Sequence, residues 1–221
     1  MNFKNLIAVF VFAALATTIS AQSNYQIGIT AGANQSSLKS DLFNTSSGRL
    51  NAAIGCTFVV GINDFFELNQ EIAFVQKGAK AQAVYFRPEA QPEQLTYDYY
   101  YNTFEAGLFA GIKPFRSVPV TFQAGGFLGT HFHNMDRSQT EVYVGDYHSL
   151  NNATQAVDLN DAFAGVDMGP AFGISAGTGQ VRVNARYYLG TRNLYNNLDF
   201  VEEGHTITTN SFRLSISYFL K

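Results

Sequence analysis

Four side chains in one stretch of the chain have the chemistry of metal ligands: His131 and His133, two positions apart and so on one face of a strand, followed by Asp136 and His148. A metal site needs a compact ligand set, whereas Asp136 and His148 fall in a long polar loop region. The pair reads more simply as polar residues closing a strand, so neither a metal nor any other cofactor is expected. Ser, His and Asp all occur, yet there is no Gly-x-Ser-x-Gly nucleophile elbow and no phosphate-binding loop. Gly125-Gly126 and the series Gly165, Gly169, Gly173 recur inside strand-like segments with no helix start behind them, the wrong setting for phosphate. These glycines suit curvature and room for bulky neighbours inside a small barrel. No catalytic residue is assigned, and the chain is not expected to be an enzyme.

The remaining ionic chemistry follows a period of two. Within 65–80, Leu68, Ile72 and Phe74 oppose Glu67, Asn69, Glu71 and Lys77, with Gln70 a polar exception on the apolar side. Within 99–114, Phe104, Ala106, Leu108, Ala110 and Ile112 oppose Glu105, Gly107, Gly111 and Lys113. Val166, Met168, Phe172 and Ile174 oppose Gly165, Asp167, Gly169 and Gly173, and Val181, Val183, Ala185, Tyr187 and Leu189 oppose Arg182, Asn184 and Arg186. The end of the chain repeats the pattern, Phe212, Leu214, Ile216, Tyr218 and Leu220 alternating with Ser211, Arg213, Ser215 and Ser217. An Arg facing lipid at the bilayer midplane costs about 2–4 kcal/mol, so one greasy and one charged face imply hydrocarbon outside and charge inside.

The elements that carry these faces are strands at roughly 24–33, 49–62, 65–80, 99–114, 118–133, 161–175, 180–192 and 207–220. Short joins at 63–64, 115–117 and 177–179 alternate with long polar ones at 34–48, 81–98, 134–160 and 193–206. That asymmetry predicts an all-β, single antiparallel transmembrane up-and-down barrel of about eight strands, with short periplasmic turns, long outer loops and both termini on the turn side. A bore of about eight strands is just wide enough for side chains to fill, so Glu67, Glu71, Glu105 and Asp167 should meet Lys77, Lys113, Arg182, Arg186 and Arg213 in a closed polar core. With no Trp in the chain, the interfacial girdle falls to Tyr and Phe. Tyr97, Tyr99, Tyr100, Tyr101, Tyr143, Tyr147, Tyr187, Tyr188, Tyr195 and Tyr218 gather near strand ends or loops.

The N-terminus reads as an export signal: Lys4, an apolar run from Leu6 to Ala16, then Ile19-Ser20-Ala21 before Gln22. Residues 1–21 are expected to be cleaved and 22–221 to form the barrel domain. The apolar run, about a dozen residues, is too short for a spanning helix. The chain carries a net charge of −3, and losing Lys4 makes it more acidic, so it offers no basic footprint for nucleic acid. The single Cys56 excludes an internal disulfide and reads as a small residue on an outward face.

Several motifs recur in a recognisable order: Ile27-Gly28-Ile29-Thr30-Ala31-Gly32-Ala33-Asn34, Glu67 to Gly78, Asn102-Thr103-Phe104-Glu105, Ala124 to Gly129, Val166-Asp167-Met168-Gly169 and Ala185 to Gly190. With them the chain resembles the PorT-like outer-membrane β-barrel proteins of the Bacteroidetes over essentially all of its mature region. The resemblance implies a single-domain barrel in a family whose members mostly lack an assigned activity. Such barrels often end on an aromatic residue, whereas this chain ends Tyr218-Phe219-Leu220-Lys221.

The function expected is that of an outer-membrane barrel with a filled polar interior and a structural or interaction role through its long loops, its partners being membrane lipid and a protein met by those loops. One alternative is a narrow small-solute transporter or channel. Another is a soluble periplasmic lipocalin-like binding barrel, which would require the apolar faces to point inward.

Overall fold

A computed structural model describes residues 25–40, 46–85, 93–115, 117–132, 141–143, 156–158, 165–194 and 206–220. Its strands are β1 (Tyr25–Ser40), β2 (Ser46–Gly61), β3 (Phe66–Tyr85), β4 (Glu93–Ile112), β5 (Val120–Phe132), β6 (Glu141–Tyr143), β7 (Ala156–Asp158), β8 (Val166–Ala176), β9 (Val181–Leu189) and β10 (Ile207–Phe219). Eight of them close into a barrel in the order β1-β10-β9-β8-β5-β4-β3-β2, every neighbouring pair antiparallel. Strands β6 and β7 form a separate two-stranded ribbon between β5 and β8. Closure removes the free edges that an open sheet would expose to lipid, where an unpaired backbone group costs several kcal/mol. It is made by β1 and β10, paired from Gly28↔Phe219 to Ser40↔Ile207.

The period-two reading places the side chains as the barrel requires. Ile29, Ile54, Ile72, Phe104, Phe122, Phe172, Val183, Leu214 and Ile216 project from the outer surface, while Glu67, Glu71, Lys77, Glu105, Asp167, Arg186 and Arg213 are buried in the bore. Cys56 is exposed on the outer face. This orientation is the inverse of a lipocalin-like barrel, whose interior would be apolar. At the turn end Tyr25, Phe65, Phe66, Phe115 and Tyr218 form an exposed aromatic rim. Two of the expected girdle tyrosines are instead core residues. Tyr101 and Tyr188 lie inside the wall, because each shares the parity of the inward charges on its strand. Tyr187, one position away, faces out. The side chains of Tyr97, Tyr99, Tyr143, Tyr147 and Tyr195 fall outside the described residues.

Two of the joins read as long loops are largely strand. β1 continues to Ser40 and β2 starts at Ser46, while β3 runs to Tyr85 and β4 begins at Glu93. Beyond the bilayer the outward residues no longer need to be apolar, so Gln35, Ser37 and Lys39 hide the alternation although the ladder to β10 persists. Register shows that all the excess length lies at one end. Phe66↔Ile112 sits at the tight turn, and β3 and β4, 20 residues each, stay paired to Tyr85↔Glu93. A strand needs about 9–11 residues to cross, as the 11 of β8 and 9 of β9 do. The β3–β4 ribbon thus rises on the order of 30 Å along its axis beyond its spanning part.

Two glycines make room for large side chains on the inner surface. A Cβ on Gly107 would lie 2.7 Å from the Phe109 ring, and one on Gly173 would lie 2.5 Å from Arg186 Cγ. In the tight turn between β8 and β9, Gly179 takes a left-handed φ of 62°. If the outer face meets hydrocarbon, Leu214→Arg should cost about 2–4 kcal/mol of unfolding free energy in lipid, measured by reversible denaturant titration. Ser37→Arg, on the part of β1 beyond the bilayer, should change it by less than about 0.5 kcal/mol.

Candidate functional site: the ion-paired bore

The bore is crossed at mid-height by an alternating chain of charges drawn from five strands. Arg186 of β9 contacts a carboxylate oxygen of Glu71 on β3, whose other oxygen accepts from Arg213 Nη1 of β10 at 2.9 Å. Arg213 Nη2 reaches Glu105 on β4, with one of its contacts at 3.1 Å. Glu105 accepts from Lys77 Nζ at 3.1 Å, and the same ammonium lies 2.9 Å from Asp167 on β8. Asp167 also accepts from Thr209 Oγ1 at 2.6 Å, and Arg186 Nε donates to Gln123 Oε1 at 2.8 Å. Three cations meet three anions, each almost fully removed from solvent.

Such a set is costly to bury unless every member is paired, and pairing is what the topology supplies. Strands far apart in sequence but opposed in the cylinder place Glu71 and Arg213, 142 positions apart, at hydrogen-bond distance. Aromatic rings complete the packing. The Arg186 guanidinium stands 4.3 Å from the Phe109 ring, Arg213 4.4 Å from Tyr188 and Lys77 Nζ 4.8 Å from Phe127. Tyr188 meets Phe127 edge-on with centroids 5.4 Å apart, and with Phe109 and Ala171 they fill one side of the bore.

A second tier closes the turn end. Arg182 Nη1 donates to both oxygens of Glu67 at 3.1 Å, Lys113 Nζ lies 2.8 Å from the same carboxylate, and Arg182 Nη2 reaches Gln26 Oε1 at 3.0 Å. Toward the long-strand end the inner face carries Asn34 and Ser36 of β1, the latter paired with Arg49 of β2. There the β2–β3 ladder is interrupted between Gly48 and Ala53, and side chains from β1 take its place. Ser36 Oγ donates to Gly78 O at 2.8 Å and accepts from Gly78 N at 2.7 Å, and Asn34 Nδ2 donates to Gln76 O at 3.2 Å.

All nine charged residues assigned to the interior therefore line the bore, and the structure joins them in two networks. Sequence reasoning missed the aromatic filling. Phe109 falls between Gly107 and Gly111 on the inward face and Phe127 shares the parity of Gly125 and Gly129, so parity carried through both strands would have found them. Of the metal candidates, only His131 is described. Its Nδ1 lies 3.2 Å from Thr103 Oγ1 and its ring packs edge-on against Tyr101. His133, Asp136 and His148 lie outside the described residues, among which no group of three metal-ligating side chains occurs.

The geometry ranks the arginines. Glu71 keeps Arg213 when Arg186 is lost, whereas losing Arg213 strips a partner from Glu71 and Glu105 together. Arg213→Ala should therefore lower unfolding free energy in detergent by about 3–5 kcal/mol, with a smaller but measurable loss for Arg186→Ala. Unchanged thermal stability in both variants would contradict a packed ion-pair interior.

No curated protein matches the sequence. Among solved structures the chain is similar to Ail, the attachment invasion locus protein of Yersinia pestis, determined with the heparin analogue sucrose octasulfate, at 12% identity over 89% of this chain and 99% of that one, TM-score 0.45. It is similar to Neisserial surface protein A at 13% identity over 89% and 99%, TM-score 0.45, and to OprG of Pseudomonas aeruginosa at 9% identity over 89% and 94%, TM-score 0.42. The model of the outer membrane protein beta-barrel domain family matches residues 20–196, and the chain belongs to that family of outer-membrane barrels.

Proposed function

We propose that this outer-membrane barrel is a non-enzymatic interaction protein that works through the chain it raises beyond the bilayer, with its bore closed to solutes. The observation that carries the reading is the mid-height chain Arg186–Glu71–Arg213–Glu105–Lys77–Asp167, which spans the lumen wall to wall while β1 to β4 continue past the membrane. A charged constriction that passed solutes would leave an aqueous gap between opposed side chains; here they touch. Each carboxylate of both tiers is held by at least one cation, which leaves none poised as a general base. The partner is a protein met by the β3–β4 ribbon and by the long loops expected at 134–160 and 193–206.

Finer placement follows the motifs. The order Glu67 to Gly78, Asn102 to Glu105 and Ala185 to Gly190 supports a PorT-like protein of the Bacteroidetes. Residues 1–21 serve as the export signal and 22–221 as the mature barrel domain.

Two measurements test the proposal. Purified from outer membranes, the protein should begin at Gln22 by intact mass, and retention of residues 1–21 would refute export by cleavage. Reconstituted in planar bilayers and swelling liposomes, it should give neither discrete conductance steps nor uptake of small sugars. Size-dependent swelling would overturn the closed bore in favour of a transporter.

A further inference from the structure

In the half of its apolar belt nearer the turns, the outer face carries one amide side chain among the described residues. Gln70 projects outward from β3 between Leu68 and Ile72, a few residues above the aromatic turn end and level with Phe58 on β2 and Leu108 on β4. Its backbone carbonyl accepts from Thr57 Oγ1, but its side-chain amide has no partner among the described residues. Among the described residues the other outward amides, Gln35, Gln76, Asn102 and Asn210, stand higher on their strands, toward the outer rim. An amide left unpaired in hydrocarbon forfeits its hydrogen bonds to water with nothing in exchange. Directly beside it the wall is hollowed: Ala106, Ala110, Ala124 and Gly126 floor a depression of about 480 Å³ rimmed by Leu68 and Leu108.

We infer that this face is where a second copy of the chain docks, with the two Gln70 amides paired across a two-fold axis along the membrane normal. Acyl chains can fill the depression but offer no donor or acceptor to the amide. An amide is both donor and acceptor and so complements itself. Two barrels inserted in the same sense are related by rotation about the normal, which keeps each residue at its own height and brings Gln70 against Gln70. The same rotation turns β2 of one copy, with Phe58 and Ile54 outward, toward the hollow between β4 and β5 of the other. The bulky side of the patch thereby faces its small side, as isologous packing requires.

The experiment is subunit counting by single-molecule photobleaching of the full-length barrel in vesicles at low protein-to-lipid ratio, with heat-modifiable migration confirming that each variant is folded. The wild type should show two copies per spot. Gln70→Leu, which removes a polar group from lipid and leaves the wall intact, should weaken the dimer at least tenfold. Gly126→Leu fills the hollow from a position where a Cβ would meet nothing nearer than 3.5 Å, and should also shift the count to one. Leu214→Ala, on another part of the wall, should leave it at two. A monomeric wild type, or a dimer as strong in Gln70→Leu and Gly126→Leu as in the wild type, would overturn the inference.

Discussion

The structure depends on the guanidinium of Arg213. It stands between Glu71 and Glu105 in a space enclosed by eight strands, and through those carboxylates it ties Arg186 on one wall to Lys77 and Asp167 across the lumen. Because the outer surface must satisfy hydrocarbon, every charge in the spanning strands is driven to the single compartment that remains. In so narrow a cylinder opposed side chains are within reach of one another, and solvation by water is replaced by pairing. A sealed interior is the physical result of combining charge with few strands.

The rest of the wall accommodates that choice. Glycine stands at 107 and 173, where the Phe109 ring and the Arg186 stem press on the backbone, so the largest inner side chains are matched by the absence of a neighbouring one. The aromatic rings of Phe109, Phe127 and Tyr188 fill the space beside the ion pairs and add favourable faces for the three cations. Away from the charges, where the β2–β3 ladder breaks, Ser36 and Asn34 reach from β1 to occupy backbone groups of β3. The barrel thus has a rigid, paired centre and unequal upper walls, tall over β1 to β4 and short over β8 and β9.

The spanning half of this architecture was legible in the sequence because lipid imposes a strict rule: an outward residue must be apolar, so parity alone sorted Glu67, Arg186 and Arg213 inward. The rule lapses outside the bilayer. Ser36, Lys39 and the upper parts of β3 and β4 remain paired strand, but outward-parity positions there, Lys39, Lys80, Gln82, Thr96 and Asp98, are polar and the residues resemble loop. Parity also could not say which charge meets which, since Glu71 and Arg213 become neighbours only when β1 and β10 close the ring. Tyr188 was misjudged as a girdle residue because aromatic character was weighed ahead of position, although its neighbour Tyr187 occupies the outward slot.

The central claim, hydrocarbon outside and paired charge within, is tested most directly by lipid accessibility along one strand. With Cys56 replaced by serine, nitroxide labels placed in turn at 212 to 217 of β10 should alternate in collision with lipid-dissolved oxygen: high at 212, 214 and 216, low at 213, 215 and 217. A reversed or absent alternation would contradict the account.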